Sequence, residues 1–327
     1  MIDVHAHVVL ELVLGAAGEH GPELFEEDGQ QRFRVGGYTL CGVRYRGSLY
    51  MDPLVRLAAM DAAGIDLQVL SPNPLTYFHQ IPAERAIAFC HVHNQAMAEL
   101  VAIAPDRFVG LATLPMQDLD AAVDELTFAV RELGLNGGYF GTDFGVDLDD
   151  ARLDQLYSRA VELNVPLFIH PAPSGIDGPL LDRRLRRFDL DLQLEFAYEE
   201  TITVAMLVYG GVLHRHPELD VCVSHGGGAT SALYPKLRHA AMTRAWSPDW
   251  LRAEGAFDRL LRRLWFDVHV GDDAAVGLLV ERVGTDHLVY GTNFGGWDSA
   301  IHHTPDAQLV GVLDDNARRL LRLPTGA

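Results

Sequence analysis

Two histidines one residue apart, His5 and His7, are the first residues in the chain with evident chemistry. Side chains alternate along an extended strand, so both imidazoles face the same way and can share one metal ion. Two more histidines sit where an apolar run gives way to a loop. His170 closes Pro166-Leu167-Phe168-Ile169 and precedes Pro171; His225 follows Val221-Cys222-Val223-Ser224 and precedes Gly226-Gly227-Gly228. Asn293 comes after Tyr290-Gly291-Thr292 and is either an inward polar group or a turn former. An H-x-H pair alone is weak evidence. Histidines repeated at the ends of apolar runs form a stronger pattern, because imidazole both ligates metals and carries protons near neutral pH.

Such residues need a scaffold that presents strand ends together. Short apolar runs occur at 2–4, 67–70, 108–114, 135–140, 166–169, 219–223, 264–270 and 288–290. Their near-continuous apolar character suits parallel strands buried on both faces. Helical patterns lie between them, at 53–64, 82–104, 120–133, 153–163 and 274–283. The first has Pro53 at its start, the stripe Leu54, Leu57 and Met60, and Gly64 as a C-cap. This alternation predicts a (β/α)8 TIM barrel over residues 1–327 as a single domain, with catalytic groups at the carboxyl ends of the strands. An open doubly wound sheet is the alternative, but no G-x-G-x-x-G follows the first run. Residues 8–50 read as a long insertion after the first strand, forming a lid or substrate wall. Residues 182–209 and 243–256 read as further insertions, after the fifth and sixth strands.

Bulk properties narrow the function. Of the 327 residues, 48% are hydrophobic and 22% charged, and the formal net charge is −19. That charge repels phosphate backbones and argues against a nucleic-acid partner. No apolar run is long enough for a transmembrane helix, so no membrane partner is expected. No signal-peptide pattern is seen. The three cysteines, Cys41, Cys90 and Cys222, are far apart, and a reducing, cytoplasmic setting fits them. Cys90 and Cys222 read as core residues and Cys41 as a loop residue.

Several stretches together carry a family resemblance: Asp3-Val4-His5-Ala6-His7, Asp52-Pro53 with Arg56 to Asp61, Arg107 through Gln117, Phe168-Ile169-His170-Pro171, Tyr209-Gly210-Gly211-Val212 and Ser224-His225-Gly226-Gly227-Gly228-Ala229. From Ile2 to Leu323 the chain resembles the amidohydrolase-2 branch of the amidohydrolase superfamily, specifically the aminocarboxymuconate-semialdehyde decarboxylase-like family. The resemblance implies that His5, His7 and His170 hold a divalent metal, Zn2+ first and Mn2+ or Fe2+ as alternatives. It implies that His225 stays off the metal and works as acid and base. The family has Asp where this chain has Asn293; an amide oxygen can ligate a metal but cannot serve as a general base. Asp298 is the nearby carboxylate that could compensate. The family holds substrate carboxylates with basic residues, which places Arg46, or its neighbour Arg44, as candidates. The lysine often found in the first insertion is absent: none occurs between Met1 and Lys236. Phe78 and His79 after the second strand, next to Tyr77, and Trp297 after the eighth are candidate pocket walls. The run Arg183, Arg184, Arg186, Arg187 reads as a solvated or subunit-facing surface, and the family's shared sites imply a homodimer or larger homo-oligomer.

The expected function is therefore metal-dependent, non-oxidative decarboxylation of a small carboxylated aromatic or muconate-semialdehyde-type substrate. A hydrolase or hydratase acting on a ring-cleavage product could use the same groups. A binding protein that has lost its metal is the non-enzymatic alternative, and retention of all four histidines opposes it.

Overall fold

The computed structural model describes residues 1–296 and 307–324. Each apolar run forms a strand. β1 (Ile2–Val8) is followed by a hairpin unit of β2 (Glu23–Glu27), β3 (Gln30–Val35) and β4 (Tyr38–Cys41). The ring continues with β5 (Leu67–Pro72), β6 (Phe108–Gly110), β7 (Ala112–Thr113) and β8 (Gly138–Phe140). It is completed by β9 (Leu167–Ile169), β10 (Val221–Val223), β11 (Trp265–Asp267) and β12 (Leu288–Val289). The parallel order runs β1-β5-β6 and β7-β8-β9-β10-β11-β12.

β6 and β7 are one strand interrupted at Leu111. Its N–H donates to Leu70 O at 2.9 Å, while Ala112 N–H turns to Gly137 O, also at 2.9 Å. At the opposite seam the ladder is not continuous. Val4 N–H donates to Tyr290 O at 2.9 Å and Phe294 N–H to His5 O at 3.0 Å. The arrangement is that of a (β/α)8 barrel. The helices are α1 (Pro53–Ala63), α2 (Ala83–Ile103), α3 (Leu119–Arg131), α4 (Asp154–Leu163), α5 (Phe196–Tyr209), α6 (Val212–Arg215), α7 (Thr230–Thr243), α8 (Asp249–Arg252), α9 (Ala256–Leu261), α10 (Asp273–Val283) and α11 (Ala307–Leu320). None is long and apolar enough to cross a membrane among the described residues.

Two readings of the insertions change. The 8–50 segment is not only loop: β2, β3 and β4 make an antiparallel sheet whose β2–β3 turn is Asp28-Gly29, both at positive φ. Asp-Gly is a strong two-residue hairpin signal, and Cys41 ends an exposed edge strand rather than a loop. Phe33 and Val35 are fully buried on one face, with Arg32 and Arg34 on the other. In 182–209 the second half is α5, the regular helix after β9. It shows no clean apolar stripe because Glu200 and Thr203 are buried along with its aliphatic residues.

β1 is held in place by a buried polar relay. Arg56, on α1, donates to Leu49 O at 2.8 Å, Gln68 Oε1 at 2.6 Å and His7 O at 2.6 Å. Gln68 Nε2 passes the link to Asp3 Oδ2 at 3.0 Å. Asp3 also accepts from His5 N–H at 3.1 Å and from the backbone and hydroxyl of Thr292 at 3.1 and 2.8 Å. Burial pulls Arg56 down to about 10, which leaves it charged at neutral pH. It raises Asp3, against the hydrogen bonds from Gln68, His5 and Thr292 that favour the carboxylate. Because Arg56→Met leaves buried acceptors unpaired, it should lower stability by about 3 kcal/mol in urea unfolding. Arg159→Met, at a surface pair with Glu162, should stay within about 0.5 kcal/mol of the parent.

Candidate active site

β1 brings His5 and His7 to one face, and β9 ends in His170. Their ligand atoms all lie within 4.8 Å of one another, and the Nε2 atoms of His5 and His7 are 3.3 Å apart. The other ring nitrogens show which form each imidazole takes. His5 Nδ1 donates to Asp267 Oδ2 at 2.9 Å and His170 Nδ1 to Pro171 O at 2.6 Å. His7 Nδ1 lies 3.0 Å from Ser71 Oγ and 3.3 Å from Pro72 O. Ser71 spends its own hydrogen on Ala6 O at 3.1 Å, so it accepts from His7. With every Nδ1 carrying hydrogen, the Nε2 atoms present lone pairs to one another. Burial first, then the neighbouring imidazoles of His7, His225 and His5, hold His170 neutral, well below the ordinary histidine range.

Lone pairs crowded in a buried pocket repel unless a cation lies among them. His170 Nε2, fully buried, has no hydrogen-bond partner among the described residues. The donor set fits a divalent metal, with Asp267, Ser71 and Pro171 O fixing ligand orientation from behind.

His225 stands beside this group, its ring 4.8 Å from that of His5 and 4.9 Å from that of His170. Its Nδ1 meets Glu200 Oε1 at 2.6 Å, and the same carboxylate accepts from Ser224 Oγ at 2.7 Å. Glu200 is fully buried; burial raises it, and His225 opposes that by favouring the charged form. His225 has φ +47, and Gly226, Gly227 and Gly228 follow at positive φ. A Cβ on Gly228 would sit 2.3 Å from Ala197 O, and one on Gly226 2.5 Å from Val270 Cγ1. The glycine run thus lets the loop pack on α5 and β11 while it turns His225 inward.

Asn293 is buried in the left-handed region at φ +49, a conformation asparagine tolerates. It lies one residue from the Phe294–His5 hydrogen bond. Gly291 packs so closely that a Cβ there would lie 2.8 Å from His5 Cβ and 2.9 Å from Asp267 Cβ.

The structure thus gathers His5, His7, His170 and His225, with Asn293 alongside. It does not gather the arginines. Arg46 pairs with Glu11 at 2.7 Å and Arg44 donates to Arg46 O at 3.2 Å; neither lines the cavity at His225. Phe78 is buried edge-on against Phe89, ring centroids 4.6 Å apart, and with His79 lines a separate cavity. Trp297 and Asp298 lie outside the described residues.

Sequence reasoning missed Asp267 and His269. They sit two apart in the otherwise apolar seventh run, the same period-two signal as His5 and His7. His269 and His225 line a cavity of about 660 Å3, with Phe196 and Leu279 on its walls. Glu200 was hidden in a stretch taken for an insertion. Asp267→Asn should lower metal affinity about 10- to 100-fold in a chelator competition, with the fold retained by circular dichroism.

Comparison with known proteins places this geometry. The model of the amidohydrolase family matches residues 2–323. A 2-amino-3-carboxymuconate-6-semialdehyde decarboxylase from Dictyostelium discoideum is 29% identical over 247 residues, covering 74% of this chain and 66% of that protein's length. A gamma-resorcylate decarboxylase from Rhizobium sp. (strain MTP-10005) is 28% identical over 291 residues, 82% of this chain and 86% of that one. Among solved structures, a dihydroxybenzoic acid decarboxylase from Polaromonas sp. JS666, with bound manganese and 2-nitroresorcinol, superposes with a TM-score of 0.74. It is 22% identical and covers 99% of this chain and 97% of that one. The chain belongs to the amidohydrolase family.

Proposed function

We propose that this protein is a metal-dependent, non-oxidative decarboxylase of a small carboxylated aromatic or muconate-type compound. The observation that carries this reading is the His225–Glu200 pair facing a cavity beside three converging imidazoles. A divalent metal bound by His5, His7 and His170, with the Asn293 amide as a further neutral ligand, supplies Lewis-acid polarisation of substrate oxygens. Zinc is the expected ion, since three imidazoles suit it, with manganese or iron as alternatives.

The chain's own groups handle the proton. Glu200 holds His225 by Nδ1, so Nε2 is the nitrogen that donates to the substrate carbon bearing the carboxylate. The carbon–carbon bond then breaks, its electron pair returns to the conjugated system, and carbon dioxide leaves. His225 regains its proton from solvent. Asn293 cannot act as a base, so this transfer rests on His225. No Arg or Lys among the described residues lines either cavity. At the cavity beside His225, a bound metal and the protonated imidazole would supply positive charge for a substrate carboxylate. Arg44, Arg46, Phe78, His79 and Trp297 remain proposed substrate contacts that a ligand complex would test.

A homodimer or larger homo-oligomer is part of the same proposal: Leu181, Phe188, Leu194 and Tyr198 expose apolar surface next to Arg183 and Arg184. Three free cysteines support a reducing, cytoplasmic setting.

The purified protein should carry about one zinc per chain by elemental analysis and release carbon dioxide from 2,6-dihydroxybenzoate or aminocarboxymuconate semialdehyde. Chelation should abolish release and metal should restore it. His225→Asn should keep the metal and lose about 100-fold or more in kcat. Turnover of these compounds without carbon dioxide would instead favour hydration or hydrolysis.

A further inference from the structure

The cavity beside His225 is polar in one place and apolar in the rest. His225 and His269 stand together on it, ring centroids 5.6 Å apart, and Glu200 is bonded to His225 Nδ1. α7 starts directly after the His225 turn with no side-chain cap, so its N–H groups also favour an anion there. Most of the remaining lining is Leu192, Phe196, Val270, Ala275, Leu278 and Leu279. Gln193 and Ser231 are its other polar side chains; both are neutral, and Gln193 Nε2 already donates to Phe188 O at 2.8 Å.

A carboxylate is stable in such a cavity only beside a cation or several donors. The histidine end, with a bound metal, provides for one. Nothing provides for a second. No Arg or Lys lines the cavity among the described residues, and residues 297–306 contain neither type. Arg46 is paired with Glu11, and Arg44 with Arg46 O, both off this lining. The amino end of α10 is already closed, because Asp272 accepts from Ala275 N–H at 2.8 Å. The volume of about 660 Å3 leaves space beyond a bare ring, and that space is walled by leucines.

We propose that the substrate is an aromatic monocarboxylate: one carboxylate, held at the histidines, and an uncharged apolar substituent on the rest of the ring. Dicarboxylates are refused. This rests on the placing of the substrate beside His225 and selects the aromatic of the two substrate types proposed above. A second carboxylate would face Leu192, Leu278 and Leu279 without a counter-charge. An alkyl group of the same size would bury against them.

2-Hydroxybenzoates bearing either ethyl or a second carboxylate, at C4 or at C5, are matched probes, since the two groups are alike in size and differ in charge. Equilibrium dialysis against the metal-loaded His225→Asn variant, in which turnover is slowed, reads their affinities. At the better position the ethyl compound should bind at least about tenfold tighter than its carboxylate twin. Gln193→Arg, at an exposed position of the lining, should narrow that gap about tenfold, and Leu278→Arg on the apolar wall is the second placement. Equal or tighter binding of the carboxylate twin, no binding of any of the four compounds, or no narrowing by either arginine would overturn the proposal. Carbon dioxide release by the parent protein is read separately. An ethyl preference without release sinks the decarboxylase reading and leaves the charge selectivity standing.

Discussion

The chemistry of this protein depends on where β1 stops, and a buried guanidinium decides that. Arg56 donates to the carbonyl of His7 while Asp3, at the other end of the relay, receives the N–H of His5. The two histidines are thus gripped through their backbones from opposite sides. The grip reaches Thr292 through the same Asp3 carboxylate, and so fixes the approach to Asn293 as well. The seam at β12 has few backbone hydrogen bonds, and the side-chain relay bridges it where the ladder does not. Buried polar groups are worth their desolvation only when satisfied, and here Asp3 accepts four hydrogen bonds while each guanidinium nitrogen of Arg56 donates one.

Behind the imidazoles the electrostatics have one sign. Asp267 and Glu200 are buried carboxylates, each spent on a histidine. Burial raises both, and their histidine neighbours oppose it. Such a site is short of positive charge until cations arrive, and the imidazoles are already arranged with lone pairs outward to receive one.

Much of this was legible in the sequence. Strand positions followed from apolar runs because strands buried on both faces leave no room for polar residues except at functional points. The ends of α1 followed from Pro53 and Gly64, whose roles are local. His5, His7, His170 and His225 stood out because they interrupt or end such runs. Asp267 and His269 obeyed the same logic and were passed over within a run taken whole. Glu200 was illegible for a different reason: its partner His225 is twenty-five residues away, and nothing local marks a buried glutamate on a helix with no apolar stripe. The β2–β4 sheet was obscured by its charged exposed faces, although Asp28-Gly29 marked its turn. The arginine assignments rested on family likeness alone, and the ion pair of Arg46 with Glu11, thirty-five residues away, lies outside what spacing can foretell.

Gly36, at the tip of the β3–β4 hairpin, has room for no side chain, since a Cβ there would lie 2.3 Å from Ile176 O. The next residue, Gly37, donates its N–H to that same carbonyl at 2.7 Å. Arg186 adds its guanidinium over Tyr38, 4.8 Å from the ring centroid. The insertion after the first strand and the loop after the fifth barrel strand are therefore a matched pair, joined backbone to backbone. Neither loop can be exchanged with that of a relative by itself: a graft that brings one without the other exposes an unpaired carbonyl or drives a side chain into it. Diversification of these walls has to proceed by coupled change, with the glycine pair as the fixed hinge point between two variable segments.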